Sequence, residues 1–399
     1  MLTLEEKQTQ LCIYVQGERV VDLWASVVEG DSFSPDSLVN VFSSGKSLEA
    51  IAMGWLFGQG LLSYDAKIVD YWPEFGANGK QALTVAELMR HEAGLAAFNT
   101  SIAPQDLLTE NIKQNRIGQI IEAHPQKFRA GDGSTREYHA VTRGWIVNEV
   151  FRRIDPSGRT VGEYLAEEIS GPLGADANIG VKAQDLTRVV DVSPLGVGFQ
   201  VLEGMKPKFM KRRMEHNILQ TTGRLMRLLP SMRTGTTAGS PPPFKGMKRI
   251  TSFNERSVRM GETPSANATC SARGLAKIAA MMAGGGRFGT TEILTDAAWK
   301  ALHKDPDRKD MGFATTTFTQ GGVAKFTAAD ESFTPSDHRL NAGREGFYGW
   351  MGLGGSLFQW HPQHQIGFAY LPTSLNVLDF LNERGKTYQA EALRCVQKL

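Results

Sequence analysis

Apolar positions change their period along the chain. Near the N-terminus, Leu11-Cys-Ile-Tyr-Val15 and Val20-Val-Asp-Leu-Trp24 flank Gln16-Gly17-Glu18, and two β-rich runs around a glycine turn predict a hairpin. From Lys46 the period lengthens. Leu48, Ile51, Ala52, Trp55 and Leu56 fall at i, i+3, i+4, i+7 and i+8, one face of a helix that Gly58 and Gly60 should end. Mostly helical patterning continues around 84–91, 138–152, 160–168 and 272–283. Strand-like runs return late, at 355–360 and 365–370, either side of His361-Pro-Gln-His364, and a last helix spans 377–396. Strands at both ends with helices between them predict a sheet completed by both chain termini. We expect a single unit, 1–399, of two lobes. Residues 1–80 and 305–399 would form the α/β lobe, with 81–304 inserted as a helical one. No repeat of solenoid period occurs.

Composition narrows the classes. The 399 residues carry 44 Lys+Arg against 42 Asp+Glu, a formal charge of +2, which argues against a nucleic-acid binder. No stretch approaches the roughly 18 apolar residues of a membrane span, and the first residues lack the pattern of a secretory signal. A cytoplasmic protein is the expectation. Cys12, Cys270 and Cys395 are odd in number and show no CxxC spacing, so neither a disulfide framework nor a structural zinc is expected. The near-neutral balance hides one uneven segment. Residues 206–249 hold eleven Lys and Arg against a single acid, Glu215, so they carry +10 and the remaining chain a net −8. Met205, Met210, Met214, Met226, Met232 and Met247 and the breaker run Gly239-Ser-Pro-Pro-Pro243 accompany them. This segment reads as a solvated surface insertion or, in a sharper reading, as a mobile cap over a substrate pocket.

Candidate chemistry lies just ahead of the first helix, in Val41-Phe-Ser43-Ser-Gly45-Lys46-Ser47. A P-loop would need a glycine five positions before Gly45, where Asn40 stands. What remains is S-x-x-K, Ser43 to Lys46. Residues three apart on a helix share a face, so the amine can lie against the hydroxyl. A serine is a weak nucleophile until a base takes its proton, and a desolvated, neutral lysine can be that base. The helix N-terminus also offers N–H groups to a developing oxyanion. No G-x-S-x-G elbow occurs, and His361-x-x-His364 reads as surface rather than as a metal site.

Two further segments match a known family. Leu83-Thr-Val-Ala-Glu-Leu-Met-Arg-His91-Glu-Ala-Gly94-Leu95 resembles the "LTxxxLLxHxxGL" signature of the serine β-lactamase and penicillin-binding-protein superfamily, in its class C-like branch. Phe128-Arg-Ala-Gly131 with Glu137-Tyr138-His139-Ala140-Val-Thr-Arg-Gly-Trp145 is similar to that branch's "PG…YxN…GY" block, and closer still to family VIII carboxylesterase-like members. Tyr71–Phe75, Gly79-Lys80, Pro264–Asn267 and Ala272-Arg273 also match, so the resemblance runs over roughly residues 10 to 375. It implies a β-lactamase-like α/β (α+β) fold, an antiparallel sheet from both chain ends flanked by helices. It also implies Ser43 as the acylated nucleophile, Lys46 as general base, and Tyr138 as second proton carrier; cationic or hydrogen-bonding neighbours are expected to lower its phenol pKa. His91 and His139 read as packing or hydrogen-bonding residues.

The third family element, K-T-G or H-x-G on a strand edge, is matched here to Gly352-Leu353-Gly354-Gly355-Ser356. The resemblance then implies an oxyanion hole of the Ser43 and Ser356 N–H groups, with Leu353, Gly354, Gly355 and Ala140 lining the substrate. Leu353 in place of a cation and Ala140 in place of the asparagine favour a neutral acyl group over a penicillin carboxylate. The expectation is a serine carboxylesterase acting on a small-molecule ester, with no metal or cofactor. An acyltransferase, a residual β-lactamase or peptidase, a non-catalytic scaffold and a homo-oligomer stay open.

Overall fold

The N-terminal hairpin forms as its pattern demands. Strand β1 (Gln8–Val15) turns at Gln16 and Gly17, both at positive φ, into β2 (Glu18–Ser26). This computed structural model describes residues 6–127, 136–214, 217–220, 222–223, 239–311, 314–377, 379 and 381–398. After the short strand β3 (Leu38–Asn40) come helices α1 (Lys46–Gly58), α2 (Val85–Met89) and α3 (Thr142–Ile154). Strand β4 (Ser193–Pro194) leads into α4 (Val197–Met205), and α5 (Ala272–Ala283) and α6 (Asp296–His303) close the middle of the chain. Then follow β5 (Asp307–Asp310), β6 (Thr315–Phe318), β7 (Ala324–Lys325), helix α7 (Pro335–Asn341), β8 (Tyr348–Met351), β9 (Leu357–His361), β10 (Ile366–Pro372), β11 (Ser374–Leu375) and α8 (Glu383–Val396).

Among the described residues the main sheet has eight strands in the order β5-β6-β7-β8-β9-β10-β1-β2, each neighbour antiparallel. Both chain ends do complete it. The register of β1 against β10 runs from Thr9 opposite Pro372 to Val15 opposite Ile366. Both faces of β1 are buried, so its period of two sorts residues between two cores. Cys12 and Tyr14 join the core with α1 and α5, and Leu11 and Ile13 join the core with α8. The result is a layered fold, helices on either face of one sheet.

Helix α1 differs from its expected amphipathic form. Lys46, Ser47 and Glu49 are buried along with the apolar residues, because α3 and α6 also pack against it. The sequence signalled one apolar face, but the polar residues go inward too. Four strands, β5 to β8, were not anticipated. Asp307-Arg-Lys-Asp310 and Thr315-Thr-Thr-Phe318 are short and polar, and they are held by cross-strand bonds rather than by an apolar pattern. The strand expected at 355–360 starts at Leu357, and the last helix starts at Glu383.

One further expectation is corrected. His361 is not at the surface: it is buried, its Nδ1 accepts the His364 N–H at 3.2 Å, and its Nε2 lies 3.1 Å from Glu345 O. Within 206–249, Lys245, Gly246, Lys248 and Arg249 are exposed, and one apolar residue anchors the stretch. Phe244 is buried against Trp145 and Phe253, with Ile102 N donating to Pro243 O at 2.9 Å and Lys245 N donating to Ile102 O at 2.8 Å. The expectation for 224–238 lies outside the described residues.

The sheet and α5 meet at backbone distance. A Cβ on Gly367 of β10 would stand 2.4 Å from Ala280 N and 2.7 Å from Ala276 O, both in α5. Gly367→Ala must therefore push the helix off the sheet. We expect it to lower the unfolding free energy by about 1–3 kcal/mol, read as a lower urea midpoint at unchanged slope.

Candidate active site

The chain bends sharply just before Ser43. Strand β3 is fully buried, and after it Phe42 adopts φ +47°, a left-handed conformation that costs a non-glycine residue roughly 1–2 kcal/mol. Two contacts hold it there. Phe42 N donates to Asn40 Oδ1 at 2.9 Å, and the Phe42 ring packs edge-on against Phe253 at 5.2 Å. The bend starts a short 3-10 turn, Phe42–Gly45, that runs directly into α1. Ser43 stands at the head of the helix, and Lys46 folds back from one turn later.

Lys46 is 1% exposed. Its Nζ lies 3.3 Å from Ser43 Oγ and donates to two main-chain oxygens, Ala140 O at 2.7 Å and Ser265 O at 3.0 Å. A neutral amine has two N–H groups and one lone pair. The two carbonyls take the N–H groups, which leaves the lone pair to face the serine hydroxyl. Burial drives the Lys46 pKa well below that of a free lysine; Glu49 opposes this and Arg143 adds to it. Both of those side chains are fully buried. Arg143 Nη2 lies 3.4 Å from Glu49 Oε1 and donates to Lys46 O at 3.0 Å, while Ser265 donates its hydroxyl to Glu49.

Tyr138 completes the group. Its phenol hydrogen-bonds with Ser43, its oxygen accepts the indole N–H of Trp350 at 2.9 Å, and the Lys46 amine sits 4.9 Å from its ring centre. The expected lowering of its pKa is overturned. Burial pushes the phenol up to about 12, outweighing the bonds to Ser43 and Trp350, so Tyr138 stays protonated near neutral pH. Two histidines fix the backbone on which it rides. His91 Nδ1 accepts His139 N at 3.1 Å, and His139 Nε2 accepts Leu95 N at 3.1 Å. Both imidazoles are neutral, His139 pushed down to about 3 chiefly by burial. These bonds stitch the 83–95 segment to the Tyr138–Ala140 segment. Residues 128–131, expected to belong to the same block, lie outside the described residues.

Strand β8 approaches from the other side, and here the placement differs from expectation. Gly352–Ser356 is the turn between β8 and β9, not a strand edge. Its glycines answer to the turn itself. A Cβ on Gly354, at φ +82°, would meet Leu375 at 2.6 Å, and one on Gly355, at φ +132°, would meet Arg384 at 2.5 Å. Leu353 packs against the main core. Ser356 turns its carbonyl to Gly352 N and its hydroxyl to Val41 O, at 2.8 and 2.7 Å, and shares a bond with Ser44.

The strand edge itself is β8. Because Gly352 N donates to Ser356 O, that pair is a hydrogen-bonded one, and antiparallel alternation turns Trp350 and Tyr348 toward β9 as well. Gly349 and Met351 point the opposite way. Strand β7 pairs with β8 only at Tyr348 and Gly349, so the Met351 N–H projects from the edge past the end of that ladder. Neither Met351 nor Trp350 was singled out from sequence, and no local pattern marks them. Glu49, three positions after Lys46 on the same helix face, was within reach of a spacing argument.

Comparisons with known proteins identify the family. A family model described as Beta-lactamase matches residues 4–391. The Esterase/beta-lactamase LipL of Mycobacterium tuberculosis (strain ATCC 25618 / H37Rv) is 28% identical over 378 residues, 92% of this chain and 76% of the relative. The crystal structure of a family VIII carboxylesterase superposes with a TM-score of 0.72 at 25% identity, covering 97% of this chain and 93% of that one. A novel penicillin-binding protein homolog from Caulobacter crescentus gives 0.71 at 26% identity, covering 96% and 93%. With a match that runs over nearly the whole length and a serine and lysine paired at a helix head, this chain belongs to the Beta-lactamase family, a serine hydrolase with esterases among its relatives.

Proposed function

We propose that this protein hydrolyses carboxylic esters of small, neutral acyl groups through an acyl-enzyme on Ser43. The observation that carries the reading is the Ser43 hydroxyl placed between a desolvated Lys46 amine and the Tyr138 phenol. Lys46 accepts the serine proton through its lone pair as the oxygen attacks the ester carbonyl. The resulting ammonium has three N–H groups, two for Ala140 O and Ser265 O and one for the reacting oxygen. Tyr138, held protonated, donates toward that oxygen and relays a proton to the leaving alcohol, drawing a replacement from Lys46. Water then clears the acyl group by the same route in reverse. The oxyanion is taken by the N–H of Ser43 at the helix head and by that of Met351 on the free edge of β8, rather than by Ser356.

Charge at the strand edge supports a neutral substrate. Tyr348, Gly349, Trp350 and Met351 form β8, and Gly352 to Gly355 follow with Leu353 among them, so no Lys or Arg stands along this stretch. A substrate carboxylate would find no charge-assisted partner in β8 itself, and Arg384, which reaches the following turn, is taken up by Glu6, Gly354 O and Ser374 O.

A panel of p-nitrophenyl esters from acetyl to octanoyl, with a chromogenic cephalosporin alongside, tests the reading. We expect ester turnover in wild type and a loss on the order of 10³ or more in Ser43→Ala and Lys46→Ala, with an acyl adduct on wild type by intact mass. Wild-type turnover in Ser43→Ala would sink the mechanism. Cephalosporin turnover faster than that of every ester would replace the substrate class.

The pH profile carries a second test. Lys46 must be neutral to act, so kcat/KM falls on the acid side as Lys46 protonates, well below the pKa of an ordinary lysine. Glu49 stabilises the charged amine. Glu49→Gln removes that stabilisation, lowers the Lys46 pKa further, and is expected to move the acid limb to lower pH. A limb that stays in place or moves up would show that Glu49 does not act on Lys46.

A further inference from the structure

Helix α4 turns the wrong face to water. Val197, Val201, Leu202 and Met205 are 76%, 41%, 66% and 67% exposed, while Glu203 on the opposite side is 3% exposed. An ordinary surface helix buries its aliphatic stripe and shows its acids. Here the buried acid is a clasp: Glu203 pairs with Lys206 and accepts the Arg213 N–H at 2.7 Å. The clasp folds the chain after α4 back on the helix, and Phe209 and Met210 stand out from it at 84% and 58% exposure. Between Lys206 and Arg213, Lys208, Lys211 and Arg212 add to the cationic border.

A basic recess adjoins this unit. Lys208 and Gln220 face His338 and Arg339 of α7 and Glu383 and Lys386 of α8 around a cavity of about 310 Å³. Glu383 is already paired with Lys386 at 2.6 Å, so Lys208 and Arg339 leave the recess positive. Exposed aliphatic side chains bordered by lysines and arginines match the chemistry of a helix lying in a lipid interface.

We propose that α4 and the 206–213 run dock this protein on an anionic lipid surface. The aliphatic and Phe209 side chains enter the acyl boundary, and Lys208, Arg339 and their neighbours face headgroup phosphates. Among the described residues no helix is long and apolar enough to cross a membrane. A strand pair links the docked unit to the candidate active site: β4 runs parallel to β11, and Leu375 of β11 abuts Gly354 in the β8–β9 turn.

Flotation of the full-length protein with phosphatidylcholine vesicles, with and without phosphatidylglycerol, tests the proposal. We expect binding to the anionic vesicles that weakens as salt is raised. The double variants Leu202→Ser/Phe209→Ser and Lys208→Glu/Arg339→Glu should each reduce the bound fraction about tenfold or more. Turnover of a short soluble ester and the unfolding midpoint should stay at wild-type values, which separates a failure here from a failure of the esterase reading. Absence of flotation in wild type, or flotation unchanged in both variants, overturns the proposal. So does self-association in solution that Leu202→Ser/Phe209→Ser abolishes without any vesicle binding, which would assign the face to a second copy of the chain.

Discussion

An amine taken out of water must either lose its charge or find compensation, and the architecture around Lys46 is arranged about that requirement. The amine has two carbonyl acceptors, Ala140 O and Ser265 O, on segments far apart in sequence. Each must therefore be delivered with little tolerance. A Cβ on Gly45 would stand 2.8 Å from Pro264 O, and one on Gly144 would stand 2.4 Å from Ser265 N, so α1 and α3 both meet the Ser265 segment at backbone distance. Arg143 and Glu49 lie beneath as a buried ion pair. Such pairs add little net stability but cost several kcal/mol when broken, so they hold a geometry in place more than they strengthen a fold. Burial of α1 on all sides follows from the same need.

The nucleophile's side of the site obeys a different constraint. Phe42 is held in a left-handed conformation by Asn40 and Phe253, and the turn after β8 is pressed on Val41, where a Cβ on Gly352 would stand 2.2 Å from Val41 O. Strain at Phe42 sets the direction in which Ser43 leaves the strand, and the sheet sets how far the β8 edge lies from it. Tyr138 connects the two sides, since its oxygen takes a bond from Trp350 of the sheet while its phenol reaches Ser43 of the helical layer. A phenol locked between two layers and held protonated by burial suits a relay better than a base.

The sequence made legible what local pattern and motif encode. The N-terminal hairpin, α1, α3, α5 and β10 all follow from periodicity, and S-x-x-K carries its own geometry because three residues make almost one helical turn. Burial did not follow from pattern: Lys46, Glu49 and Arg143 are as polar in sequence as any exposed residue. The β8 edge was misplaced by four or five residues, because glycine-rich turns and glycine-bearing strand edges look alike without register. Which peptide N–H faces the serine depends on the alternation of a ladder, which is a property of two paired strands. The raised phenol of Tyr138 was missed for a related reason. Hydrogen-bonding neighbours were anticipated, but the full desolvation that outweighs them belongs to the packed state.

Completion of the sheet by both chain ends has a consequence for how the protein comes into being. Val15 pairs with Ile366, roughly 350 residues later. At the about 5–20 residues per second of protein synthesis, β1 waits for tens of seconds before its partner leaves the ribosome. Throughout that interval β1 has only its hairpin partner β2, and the helix head carrying Ser43 lacks the rest of the sheet. Contacts of such sequence separation also slow the final closure, since loop entropy is lost before the pairing repays it. The newborn chain therefore leaves that edge of β1 unpaired for the whole interval, and the site around Ser43 cannot be completed before β8, β9 and β10 have been made.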